Sequence, residues 1–297
     1  MAQIYRSLFV VPLLFVATFI NAQDSLMNLL GENQPKIEYT AATFKATRVI
    51  LGQSIENPFG GTLVFVISHH FGQINTGFYN YFGLDQASTR LGLEYGITNW
   101  LGVGFGRSTY QKTWDGFTKV KILRQSTGAR KVPLSISFYA NTAINTLDWQ
   151  DTQRKNYFSS RLQYCFEFLF ARKFNEYLSL QVMPVWVHRN LVPAETDHND
   201  IYAVGGGGRC KITKRISLNA EYFYLLPNQH LNQIYNSFSL GFDIETGGHV
   251  FQLFLTNSQG PFEEAFITEN NGNWFKGDIF FGFNISRVFT IIKPKIR

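Results

Sequence analysis

The sequence predicts an all-β fold, a transmembrane antiparallel up-and-down β-barrel of about 12 strands, on three observations. Apolar residues alternate with polar residues or glycine in segment after segment from Thr62 onward, the period of a strand with one lipid face and one inner face. The connections between these segments alternate between short and long, as periplasmic turns and outer loops do. An apolar leader precedes them and directs the chain out of the cytoplasm. A soluble sandwich would show the alternation, but it has no reason to sort its loops by length.

The leader comes first in the chain. Met1–Arg6 carries one cation, Leu8–Ile20 is an apolar run, and Asn21-Ala22-Gln23 offers a small residue for cleavage after Ala22. A helical anchor needs about 20 apolar residues, so residues 1–22 read as a signal peptide. Loss of Arg6 lowers the formal charge from +6 to +5, too small a surplus to indicate nucleic acid. Mean hydropathy is −0.09 and no second run reaches helical spanning length, which excludes a helical membrane protein. The 29 Phe and 14 Tyr suit pleated surfaces and membrane interfaces.

Residues 23–60 differ in pattern from the rest of the chain. Asp24-Ser25 is a cap for a short helix through Leu30, Thr43–Ile50 reads as an extended strand, and Gly52–Gly61 as a loop. The segment is expected either in the periplasm or folded into the lumen as a plug. Residues 61–297 form the barrel, with strands near 62–70, 88–96, 100–107, 115–124, 132–144, 157–171, 177–188, 201–212, 216–226, 236–245, 249–256 and 274–286. An even strand count places both barrel ends in the periplasm.

Cost assigns the faces. An Arg or Lys facing lipid at mid-membrane costs about 2–4 kcal/mol, so each strand is phased to turn its charges inward. Leu91, Leu93 and Tyr95 then face lipid opposite Arg90 and Glu94, and Thr118, Val120 and Ile122 face lipid opposite Lys119 and Lys121. The same rule turns Arg161, Glu167, Arg209, Lys211, Glu221, Asp243, Lys276 and Asp278 into the lumen. Gly205–Gly208 weakens its strand and marks either a sharp bend or a close approach by another backbone. Cys165 and Cys210 sit on different strands and faces, and are expected to be unbonded.

The runs TFKATRVILGQS, ISHHFG, YFGLDQAS, RLGLEYGITNWLGVGFGRS and FTKVKILRQ resemble an uncharacterised outer-membrane β-barrel family of Bacteroidota, a domain of unknown function. The resemblance covers nearly all of the chain after the leader and is densest from Thr43 to Gln125. It implies a barrel and an outer-membrane location, and brings no activity or catalytic residue.

Candidate chemistry is thin. His69 and His70 are adjacent on a strand and point to opposite faces, a poor joint metal site. Asp197-His198-Asn199-Asp200 has oxygen ligands but lacks the Gly and Glu positions of a calcium loop. Gly205–Gly208 opens no helix and so cradles no phosphate. No Gly-x-Ser-x-Gly elbow is present, and His230 with Ser237 is a weak pair for a hydrolase. No catalytic residue, metal or cofactor is predicted, and the chain is not expected to be an enzyme. The inward charges point to a narrow channel for small solutes with weak anion preference, set by Lys119 and Lys121 about 7 Å apart along one strand. The alternatives are a plugged structural or docking barrel for a periplasmic or surface partner, and an outer-membrane enzyme acting on lipid. Expected partners are outer-membrane lipid, small solutes, and the barrel-assembly and periplasmic chaperone machinery.

Overall fold

The computed structural model describes residues 36–149, 151–153, 155–229 and 234–293. The leader, the helix expected from Asp24 and His230 lie outside them. The chain divides into two compact units. The described part of the first is a small antiparallel pair, β1 (Ile37–Tyr39) with β6 (Ser126–Gly128).

The second unit is a closed antiparallel barrel. Its strands are β2 (Thr62–Gln73), β3 (Ala87–Gly96), β4 (Leu101–Ser108), β5 (Trp114–Leu123), β7 (Ser135–Ile144), β8 (Leu162–Lys173), β9 (Leu178–Arg189), β10 (Asp200–Lys211), β11 (Ile216–Leu225), β12 (Ser237–Thr246), β13 (His249–Thr256) and β14 (Phe280–Thr290). Each pairs with the next barrel strand in sequence, and β14 closes on β2 with Thr290 opposite Thr62. Closure leaves no unpaired edge in lipid, where an unsatisfied backbone group costs several kcal/mol. The alternation drives the burial pattern. On β3, Leu91 and Leu93 are exposed outward while Ser88, Arg90, Gly92 and Glu94 are buried inward. On β5 the period holds from Asp115 to Lys119, then a bulge near Ile122 shifts the register against β7.

Several expectations are corrected. The last strand begins at Phe280 rather than 274, because the Asn273 side chain accepts a hydrogen bond from Phe275 N (2.9 Å) and holds a short turn over Trp274–Lys276. Gly277, at φ 79°, then turns the chain in the left-handed region before pairing resumes. Phe158–Arg161 is likewise a turn, so β8 starts at Leu162. Thr43–Ile50 is not a strand: Thr43 N donates to Glu56 and Val49 N to Gly52 O within the segment, while wall side chains take the Thr47, Val49 and Ile50 groups. Gly205–Gly208 neither breaks nor bends β10, which pairs on both sides at all four residues.

The interior is full. From the short-turn end, where Thr40 N donates to Gln125 O (2.9 Å), residues 40–61 rise into the lumen. They reverse at a small hairpin with Arg48 bridged to Gln53, and descend to Gly60 beside Gly96. From the opposite end, the connection between β13 and β14 folds inward and carries the short helix α1 (Glu263–Thr268), all of it buried. Phe44, Val49, Ile50, Leu51 and Ile55 from below pack with Phe266 and Ile267 from above and with Leu169, Met183, Phe223 and Phe254 of the wall. Each such side chain contributes about 1.5–3 kcal/mol by leaving water.

Candidate functional site: the filled lumen and its outer mouth

The tip of the lower segment is held by its main chain. Val49 N donates to Gly52 O (2.8 Å), a tight turn that aims three successive N–H groups one way. The Glu221 carboxylate of β11 receives all three: Ile50 N at 3.1 Å, Leu51 N at 2.7 Å and Gly52 N at 3.2 Å. Such a nest of N–H groups is a built anion site, here filled by the protein's own carboxylate. The tip carbonyls are gripped as well. Val49 O accepts from Asn219 (3.2 Å) and Gln252 (3.0 Å), and Ile50 O from Asn284 (2.8 Å). On the other side of the turn, Gln181 Nε2 donates to Gln53 O at 2.7 Å. Gly207 supplies the room: a Cβ there would lie 3.3 Å from both Val49 methyls. The four-glycine run is therefore a place where another segment comes close.

Lys119 has the same task on the opposite wall. Its Nζ donates to Thr47 O (3.2 Å), Gln53 Oε1 (3.0 Å), Ser54 O (3.1 Å) and Glu56 O (2.8 Å), and its exposure is 0 %. An ammonium has three protons, so two of these four acceptors share one. Lys121 reaches Glu56 at 3.7 Å. The expectation that both lysines present overlapping fields to an open passage is thus corrected, because their charges are used on the segment that fills it.

The two inserted segments meet in a charge cluster at mid-lumen. Arg48 Nη1 donates to Glu263 Oε1 (3.0 Å) and to Leu51 O (2.7 Å). Gln53 Nε2 and the Tyr139 hydroxyl reach the same carboxylate at 2.9 and 3.0 Å, and Asn141 Nδ2 donates to Glu264. Burial, reinforced by the neighbouring Glu263 charge, holds the Glu264 carboxyl well above the usual range. Arg90 lies flat across Gly92 and Gly106 to form a bidentate pair with Asp115. A Cβ on Gly106 would sit 2.3 Å from the guanidinium, which explains part of the glycine-rich face of β4.

Of the other charges expected in the lumen, Glu94, Glu167, Arg209 and Asp243 are buried and inward, Arg209 on Ser217 (3.1 Å) and Asp243 on Gln252 (2.9 Å). Lys211 lies at the short-turn end near Glu176 (3.5 Å). Three are placed elsewhere. Arg161 sits in the outer turn before β8, its guanidinium 4.0 Å over the Trp149 ring. Lys276 is exposed in the turn before β14, and Asp278 receives Asn75 and Asn273 N there; neither belongs to the strand. Cys165 is buried, Cys210 exposed, and both are free.

Sequence reading missed Arg48, Tyr139, Glu263 and Glu264. Two signals point toward them. β9 is apolar on both phases (Leu178, Leu180 and Val182 outward, Met183, Val185 and Val187 inward), the mark of a strand covered on both faces. Phe262–Thr268 is apolar apart from two glutamates and a threonine, which is unlike a solvated loop.

Above α1 the long loops enclose a cavity of about 790 Å³ lined in part by Thr268, Glu269 and Asn271.

Residues 44–289 match a family model described as a membrane bound beta barrel domain, DUF5777. A search of curated proteins finds no match. Among solved structures, the NanC porin is 9 % identical over 77 % of this chain and 100 % of its own, with a TM-score of 0.47. The KdgM porin gives 8 %, 77 %, 99 % and 0.48, and the Acinetobacter baumannii outer membrane protein Omp33 gives 9 %, 80 %, 100 % and 0.42. With the family model spanning both the inserted N-terminal segment and the strands, the chain belongs to the membrane-bound beta barrel domain family DUF5777.

Proposed function

We propose that this protein is an outer-membrane barrel held shut by its own chain, a porin-like scaffold whose N-terminal segment is a resident plug. The leader, the sorted loops and the membership of a membrane-barrel family support the location. The observation that carries closure is the double grip on residues 47–56, with Lys119 capping carbonyl and amide oxygens on one wall and Glu221 receiving three N–H groups on another. Small solutes pass only after that grip is released. The bared wall then carries Arg90, Lys119, Lys121, Arg209 and Lys211 against Glu94, Asp115, Glu167, Glu221 and Asp243. This even match supports weak ion selectivity. Any anion preference from Lys119 and Lys121 belongs to that state, when their plug acceptors are gone. Lys119, Gln181, Asn219, Glu221, Gln252 and Asn284 of the wall are engaged in holding the plug, which favours transport over an enzyme acting on lipid.

Planar-bilayer recording tests the proposal. Wild type should show no steady unitary current, and the double variant Lys119→Met with Glu221→Leu should show discrete openings while still migrating as a folded barrel. Steady wild-type currents equal to the variant's would overturn it.

A further inference from the structure

We infer that the lipid face at the short-turn end of β13 and β14 is a binding site for the headgroup of an anionic phospholipid, held by Arg287 and His249. Three arginines break the inward phasing of charge, and each lies over an aromatic ring. Arg107 stands over Trp114 (5.3 Å), Arg172 over Phe174 and Arg287 over Phe289 (both 5.0 Å). All three occupy outward positions near strand ends, where an arginine facing lipid costs far less than at mid-membrane. Arg287 differs from the other two in its surroundings. It lies opposite His249 on one side and Phe65 on the other. Side chains so opposed stand about 4.5–5.5 Å apart at Cβ, close enough to share one phosphate. His249 opens β13 directly after the Gly247-Gly248 turn, which sets the pair at headgroup level. Phe251, stacked on His249 (5.9 Å), and Phe289 add apolar surface for the start of the acyl chains.

The chemistry selects the ligand. A guanidinium is a planar fork of donors that matches phosphate oxygens, and an imidazole offers at least one N–H in either protonation state. No outward position of β13, β14 or β2 carries a carboxylate, and among the described residues none pairs with Arg287. Glu245, before the adjoining turn, is taken up by Lys45. The ammonium of a zwitterionic headgroup would therefore meet a guanidinium and find no counter-charge, whereas a phosphodiester to an uncharged alcohol meets only donors. Arg172 lacks this selectivity, since the turn that follows it holds Glu176. The site lies outside the barrel, so it stands or falls separately from the proposed closure.

Native mass spectrometry of the whole protein tests this, with release from micelles holding equal amounts of dioleoylphosphatidylglycerol and dioleoylphosphatidylethanolamine. The first lipid retained should be phosphatidylglycerol in about tenfold excess, the worth of one charge-assisted contact. Arg287→Gln should bring the ratio close to one, His249→Leu should lower it by a smaller factor, and Arg172→Gln should leave it within about twofold. Equal retention of the two lipids by wild type would overturn the inference, as would an excess that Arg287→Gln does not move. An equal fall in Arg172→Gln would do the same, because the attraction would then belong to the diffuse charge of the rim.

Discussion

The two segments that fill the lumen are held by opposite means. The lower one, residues 40–61, is recognised through its backbone: Glu221, Asn219, Gln252, Asn284, Gln181 and Lys119 bond its N–H and C=O groups. The upper one is recognised through the Glu263 and Glu264 side chains of α1, which bond Arg48, Gln53, Tyr139 and Asn141. Backbone capture makes the lower segment sensitive to changes in the wall. Carboxylate capture makes the upper one sensitive to protonation. Arg48 is the point where the two schemes join.

The largest effect should therefore come from Arg48→Ala, which strands the buried Glu263 carboxylate. Removing one partner of a buried pair costs about 3–5 kcal/mol, and both segments should lose amide protection in hydrogen exchange. Equal loss in a Glu263→Gln background would show that the pair is not the link. Next is Glu221→Leu, which leaves three N–H groups of the hairpin unanswered. It should cost about 3 kcal/mol in denaturant unfolding and release Ile50–Gly52 amides while α1 stays protected. If α1 loosens to the same degree, the two segments are one cooperative unit and the contrast between them fails.

Gly207→Val is a smaller perturbation. Its added methyls meet Val49, so about 1–3 kcal/mol of overpacking should fall on the lower segment alone. A Gly206→Val control should cost little, since a Cβ there meets nothing within 4 Å.

The smallest effect is that of pH. Burial raises the Glu264 carboxyl, and it raises that of Glu269 as well. A carboxyl whose folded pKa lies above its unfolded value contributes stability that is complete below the unfolded value, about 4.3 for Glu. That contribution is lost as pH rises through the folded value. Hydrogen exchange of Glu263–Glu269 amides should accordingly accelerate as pH rises above about 4.3, beyond the intrinsic base-catalysed rise, and in the double variant Glu264→Gln with Glu269→Gln it should not.

The barrel was legible in the sequence because lipid enforces a period of two: Leu91 against Arg90, or Leu218 and Ala220 against Asn219 and Glu221, admit one phase at acceptable cost. The same cost rule names inward charges without naming their partners. Glu221 reads as lumen-lining from its neighbours on β11, but the turn that binds it lies 170 residues earlier. Lys276 shows where the rule fails, since phase has meaning only within a strand, and an Asn cap with a left-handed glycine ended that strand's reach. Arg48 and Glu263 belong to segments whose residues satisfy no period, because they are packed by shape inside a cylinder and not against a flat surface.

Closure of the lumen depends on the hairpin tip sitting against β10, and a crosslink reads that placement without intermediate steps. In a chain with Cys165→Ala and Cys210→Ser, the pair Val49→Cys and Gly207→Cys places two sulfur-bearing carbons within reach of a bond, since a Cβ on Gly207 lies 3.3 Å from the Val49 methyls. Spontaneous oxidation is expected in the folded, detergent-solubilised protein, read as a mass loss of two hydrogens and as thiols inert to maleimide until reduction. Two thiols that label freely without reduction, in a barrel that is otherwise intact, would contradict the placement.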